Sequence, residues 1–171
     1  MAVRVQTEPF DAGRLLGDFS AGRLEAGGIV SFTGIARDAT GGSAVTLLEL
    51  DAYPGFTEPA IEAMEADARA RFGVQDLLVV HRHGPIRPGE AIVFVAAAAE
   101  HRRAAFDAVD FLMDRLKTEA PFWKKERGPD GDRWIEPRAP DYQDMERWSR
   151  AFSDEVEPAA SSDTAPKDMS R

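Results

Sequence analysis

The sequence predicts a single α+β domain in which a mixed, largely antiparallel sheet carries packed helices. Three observations lead there. Strand-like and helix-like apolar periods follow one another in the order β-α-β-β-α-β-β-α-β-β-α. Several strands are separated by short glycine- and proline-containing gaps, the length of hairpins rather than of helical crossovers. The chain's 171 residues, 43% hydrophobic and 30% charged, suit one domain with a substantial core.

Val3 to Gln6 reads as a short strand, and Asp11 to Phe19 as a short helix with Asp11 at its N-cap. Gly27-Gly28 opens an alternating strand, Ile29 to Thr33, that ends at Gly34-Ile-Ala-Arg37-Asp38. Val45 to Tyr53 is the next strand, and the glycine-containing gap between the two predicts an antiparallel hairpin. Thr57 stands where an N-cap is expected, and Ile61, Met64, Ala68 and Phe72 follow at helical spacing down to Gly73. Leu77 to His81 and Ala91 to Ala97 are strands joined by a loop with Pro85, Pro88 and Gly89. A second long helix runs from about Glu100 to Lys117, with Pro121 marking its end. Phe122 to Glu126 and Arg133 to Glu136 flank the turn Gly128-Pro-Asp-Gly131, and Asp141 to Phe152 reads as the last helix. The domain is expected to span residues 1–152. Residues 153–171, with five acids, two bases and Pro, Ser and Ala between them, predict a disordered acidic tail.

Composition removes several function classes. A net charge of −9 opposes nonspecific nucleic-acid binding, which needs a field of cations; a local basic pocket in such a chain suits a small anion. Without cysteine there is no disulfide, thiolate metal site, iron–sulfur cluster or cysteine nucleophile. The longest strongly apolar run, Ala91 to Ala99, is too short to span a bilayer, and no secretory signal opens the chain, so the expected compartment is the cytoplasm.

Lysine carries the chemical signal. Arginine fills 17 of the 21 basic positions, yet Lys117, Lys124 and Lys125 fall within nine residues. Arginine keeps its proton, whereas a desolvated lysine sheds one and becomes a nucleophile or base. Phe122 and Trp123 are apolar enough to desolvate Lys124, and a chain folding back at Pro121 brings Lys124 towards Lys117. A blind reading of such a run is still a solvated basic turn. His101, Arg102 and Arg103 open the second long helix, where free N–H groups already favour an anion; surface arginines at a helix start are the plain alternative. Arg37, at a strand end, joins the candidates. His81 and His83 share one side of a strand, but no third ligand at suitable spacing suggests a metal, and structural roles fit them better.

These segments resemble a known family. Gly28-Ile-Val-Ser-Phe-Thr-Gly-Ile-Ala-Arg-Asp38, Tyr53-Pro-Gly-Phe-Thr-Glu58, His81-Arg-His-Gly84, Pro88-Gly-Glu90, Glu100-His-Arg102, Leu116-Lys-Thr-Glu-Ala-Pro-Phe-Trp-Lys-Lys-Glu126 and Gly131-Asp-Arg-Trp134 look like the large, catalytic subunit of molybdopterin synthase. The match is collinear from about residue 3 to 150. The resemblance implies an α/β hammerhead-like fold and a sulfurtransferase step in molybdenum cofactor biosynthesis: conversion of cyclic pyranopterin monophosphate (precursor Z) to molybdopterin. Sulfur would arrive on the C-terminal Gly-Gly thiocarboxylate of a small ubiquitin-like partner, and a central homodimer would carry one such subunit at each end, a heterotetramer. No cofactor or metal is implied.

By the motif match Lys117 and Lys124 take the catalytic positions. Arg37, His101 and Arg102 take substrate-binding positions, and Lys125 and Glu126 extend the site. Ile35 stands where relatives often carry a basic residue, so Arg103 is a candidate source of that charge. The lysines would stabilise the oxyanion formed as the acyl–sulfur bond breaks, or act as acid and base; a covalent lysine link is less favoured. Two other readings stay open: a Schiff-base lysine enzyme acting on a phosphorylated carbonyl compound, and a non-catalytic anion-binding dimer.

Overall fold

The computed structural model of the chain describes residues 2–154. Its elements run β1 (Val3–Gln6), α1 (Ala12–Ser20), β2 (Gly28–Ile35), β3 (Ala39–Thr40), β4 (Ser43–Ala44), β5 (Leu47–Ala52), α2 (Thr57–Phe72), β6 (Asp76–Arg82), β7 (Gly84–Ile86), β8 (Ala91–Ala99), α3 (Arg102–Thr118), β9 (Phe122–Gly128), β10 (Gly131–Ile135) and α4 (Ala139–Asp154). They build two four-stranded sheets, ordered β1-β6-β8-β2 and β10-β9-β5-β7, and the small ribbon β3-β4. Among the described residues only β1 and β6 pair in parallel, and the other ladders are antiparallel, as the hairpin-length gaps predict. None of the described helices is long and apolar enough to cross a membrane.

The first sheet explains the unbroken apolar run of β8. Val93, Val95, Ala97 and Ala99 face a core shared with α2 and α3, while Phe94, Ala96 and Ala98 face a second core under α1. A strand covered on both faces has no polar side to alternate with. β6 obeys the same rule, with Leu77 and Val79 on one side and Leu78 and Val80 on the other. Asp11 caps α1 as expected, its Oδ1 accepting the Arg14 N–H at 2.9 Å.

Two expectations fail. β2 and β5 do not form a hairpin: β2 pairs with β8 from Gly28↔Ala99 to Ile35↔Ala91, and β5 lies between β7 and β9. The Gly41-Gly42 turn closes only β3 on β4. Burial decides this, because β8 offers β2 a wholly apolar neighbour, whereas β5 carries Glu49 and Asp51. Thr57 is also no N-cap. It is the first residue of α2, fully buried, and its hydroxyl donates to the Pro121 carbonyl at 3.0 Å while accepting the Tyr53 N–H at 2.8 Å. Thr57 thereby ties the start of α2 to the entry of β9.

The last helix runs to Asp154, past the expected limit at Phe152, and the rest of the expected tail lies outside the described residues. Asp114 of α3 holds α4, accepting from Arg147 Nη2 at 2.7 Å and Trp148 Nε1 at 2.8 Å. The Trp148 ring packs edge-on against Phe72 and Phe111.

One glycine fixes the start of β2 against the start of α3. A Cβ on Gly27 would lie 2.1 Å from the Glu100 carbonyl oxygen, a backbone atom with no room to yield. Gly27→Ala is expected to destabilise the fold by about 1–3 kcal/mol, the usual range for overpacking. Urea unfolding checks this, and an unchanged midpoint would refute it.

Candidate active site

The two sheets and the C-terminal end of α3 enclose a cleft of about 270 Å³. Arg37 just beyond β2, Lys117 in the last turn of α3, and Lys124 and Glu126 of β9 all line it, between apolar walls that include Phe32 and Ile35. A smaller recess of about 180 Å³ shares those four polar residues and adds Arg138 and Asp141. The helix end and the strand do fold back on each other across Pro121, so Lys117 and Lys124 converge.

Their surroundings differ sharply. Lys117 is half exposed, and its Nζ donates to Asp141 Oδ1 at 2.6 Å. Asp141 is buried and also accepts the Arg138 N–H at 2.8 Å. Burial pushes the Asp141 carboxyl upward, but the Lys117 and Arg138 contacts outweigh it and hold the group below its ordinary value. Lys124 faces inward, and no hydrogen bond or ion pair reaches its Nζ among the described residues. Burial first, then the charge of Lys117, lowers its pKa; the opposing pull of Asp141 does not restore it. One lysine is thus held by a carboxylate, and the other has a lowered pKa and no such partner among the described residues.

Glu126 is a brace. Its Oε1 accepts from Thr40 Oγ1 at 2.8 Å and its Oε2 from Arg133 Nη2 at 2.5 Å, which fixes the loop beyond Arg37 against β9 and β10. Lys125 is not brought into the cleft. Strand alternation turns it to the opposite face, where it lies 3.5 Å from Glu49 and 3.6 Å from Asp132 and over the Trp134 ring. His101 and Arg102 sit exposed at the other end of α3. Arg102 and Lys117 stand fifteen positions apart along α3, roughly 22 Å at the α-helical rise. One copy of the chain therefore does not bring them to the lysines. Arg103 borders a separate groove with Phe32 and Phe106, 3.7 Å from Asp107, and adds no charge beside Ile35 within the cleft.

Sequence reasoning missed Asp141. Its only linear signal was an acid in the first turn after Pro140, which marks a helix start. Reaching back to Lys117 is a property of the fold. Asp141→Asn keeps an oxygen for the Arg138 N–H but loses the charge on Lys117, so turnover is expected to fall about tenfold, the scale of one charge-assisted hydrogen bond. Steady-state kinetics with a melting control test this; unchanged turnover would remove Asp141 from the site.

A cleft that gathers an ion-paired lysine, a second lysine without a hydrogen-bond partner among the described residues and a bordering arginine, in a cysteine-free α+β fold, has the make-up of a site for an anionic ligand. The comparisons make that class specific. The MoaE protein family model matches residues 5–119. The molybdopterin synthase catalytic subunit of Caulobacter vibrioides is 55% identical over 150 residues, covering 88% of this chain and 99% of that protein. The solved molybdopterin biosynthesis MoaE protein from Burkholderia ambifaria MC40-6 superposes with a TM-score of 0.73 at 43% identity, over 87% of this chain and 99% of that one. A Helicobacter pylori structure, a complex of subunits 1 and 2 of molybdopterin-converting factor, shares the fold at a TM-score of 0.68 and 20% identity, over 81% of this chain and 92% of that one. The chain belongs to the MoaE family, the catalytic subunits of molybdopterin synthase, and its enzymatic role lies in molybdenum cofactor biosynthesis.

Proposed function

We propose that this chain transfers sulfur from the C-terminal thiocarboxylate of a small ubiquitin-like subunit to cyclic pyranopterin monophosphate, twice, to form the dithiolene of molybdopterin. The observation that carries this reading is the largely buried Lys124, unpaired among the described residues, facing the ion-paired Lys117 in one arginine-bordered cleft. In each transfer the carrier's thiocarboxylate sulfur bonds to a pterin side-chain carbon while a carbon–oxygen bond at that carbon breaks, its oxygen leaving as water or staying on the phosphate; water then cleaves the acyl–sulfur bond, leaving a thiolate on the pterin and a carboxylate on the carrier. The tetrahedral intermediate of the second step bears an oxyanion, and Lys117, held in place by Asp141, is suited to stabilise it. Lys124, with its lowered pKa, is suited to move the proton. Arg37 holds substrate anion by charge-assisted hydrogen bonds. Lys125, in its ion pairs on the outer face, steadies β9 and does not touch substrate.

His101 and Arg102 reach the substrate from a second copy of the chain. β2 is the edge of its sheet, with its free side uncovered by any described strand, and Phe32 on it lies beside the exposed Phe106. Such an apolar edge calls for a partner. A two-fold packing of β2 on its own copy runs the strands antiparallel, so the start of one meets the end of the other. Arg102 lies against the start of β2 and Arg37 just beyond its end, so each site would take the lysines from one copy and the His101-Arg102 pair from the other. A partner at each outer end completes a heterotetramer, in line with the two-subunit Helicobacter pylori complex.

The test is reconstitution: purified chain, cyclic pyranopterin monophosphate and thiocarboxylated small subunit, with molybdopterin read as its fluorescent oxidised derivative. Product that depends on the carrier supports the reading. No product with a carrier shown to be active overturns it, and borohydride trapping of substrate on a lysine without carrier would favour the Schiff-base chemistry instead.

A further inference from the structure

His81, in the last turn-ward stretch of β6, lines the same cleft and has no part in the mechanism above. Its ring is 4% exposed and stacks on Phe122, centroids 4.2 Å apart and planes at 19°. Nδ1 lies 2.8 Å from the backbone oxygen of Arg82. A carbonyl only accepts, so Nδ1 carries the hydrogen, and the neutral ring keeps Nε2 as a bare acceptor. No described group donates to that nitrogen. Phe122 and Lys124 are two residues apart on β9 and therefore on one face, so the strand that lays Phe122 on the imidazole also sets Lys124 beside it. The cleft thus brings together an acceptor without a donor and an amine without an acceptor.

We propose that His81 is a positioning residue for Lys124, its Nε2 accepting a hydrogen bond from Nζ as substrate closes the cleft and fixing the direction in which the amine acts. The inference rests on the reading of Lys124 as an acting group. Burial keeps the imidazole neutral, with a pKa lowered to about 4, and the nearby Lys124 and His83 push the same way, so the acceptor is available throughout the neutral range. A protonated ring would instead repel Lys124.

Two substitutions separate positioning from packing. His81→Asn retains an N–H towards the Arg82 carbonyl but has no atom at Nε2; His81→Gln extends an amide oxygen to that position. In the reconstituted assay H81N is expected to lower kcat about tenfold or more, with KM for the pterin within about twofold and melting temperature near wild type, and H81Q to recover kcat to within about threefold of wild type. Unchanged kcat in folded H81N overturns the proposal. So does a raised KM at unchanged kcat, which makes His81 a substrate contact, or equal losses in both variants, which makes it a packing residue. Should H81N not fold, H81Q decides: kcat near wild type supports the proposal, and a loss beyond about tenfold in a folded H81Q overturns it. Wild type that makes no product overturns the functional reading itself, an outcome distinct from all of these.

Discussion

Lys124→Ala is expected to lower turnover by about 10²–10⁴-fold, the range for loss of a positioned acid–base or oxyanion-stabilising group. The same position should show the opposite effect on stability. Because the folded-state pKa of Lys124 is depressed, the unfolded chain binds more protons than the folded one between that value and the ordinary lysine value. Stability therefore rises with pH across that window, and below it the largely buried Lys124 side chain is a burden on the fold. Lys124→Met, which fills the same space without charge, is expected to gain about 0.5–2 kcal/mol at neutral pH while remaining inactive. Denaturant unfolding at several pH values measures both features. A Met variant less stable than wild type would mean that Lys124 is satisfied in a way incompatible with a free amine.

A mixed dimer should regain activity that neither parent has. Lys124→Ala damages one half of the proposed composite site, and the double variant His101→Ala/Arg102→Ala damages the other. Co-expressed with two different tags and purified through both, a dimer of one chain of each kind holds one site with every defect and one with none. About half of wild-type turnover per dimer is then expected from two nearly inactive parents. If all of these residues served one chain, both sites would remain damaged and no recovery would be seen. The roughly 22 Å of helix between Arg102 and Lys117 is the reason to expect recovery.

The parts of this molecule legible in its sequence are those governed by local periodicity and turn chemistry. Ile61, Met64 and Ala68 mark α2, and Gly128 to Gly131 fix the β9–β10 hairpin, because neither depends on distant neighbours. The pairing of β2 was not legible, since adjacency in sequence favoured β5 while burial favoured β8. At the site, the crowding of Lys117 and Lys124 around Pro121 was visible directly. Lys125 was grouped with them although the period of two along β9 already assigns it to the other face. Asp141 and His81 could not be read as partners of the lysines, because only the docking of α4 and the stacking of Phe122 bring them there.

The order of the second sheet, β10-β9-β5-β7, has a consequence for biosynthesis of the protein itself. β9 enters between β10 and β5, pairing residues 47–52 with residues 122–127, so this ladder closes only after about three quarters of the chain has emerged from the ribosome. The first sheet, complete by Ala99, is available earlier as a platform. Lys124 acquires its largely buried setting only once β9 has been made and paired, and Lys117 its carboxylate partner only once Asp141 has followed.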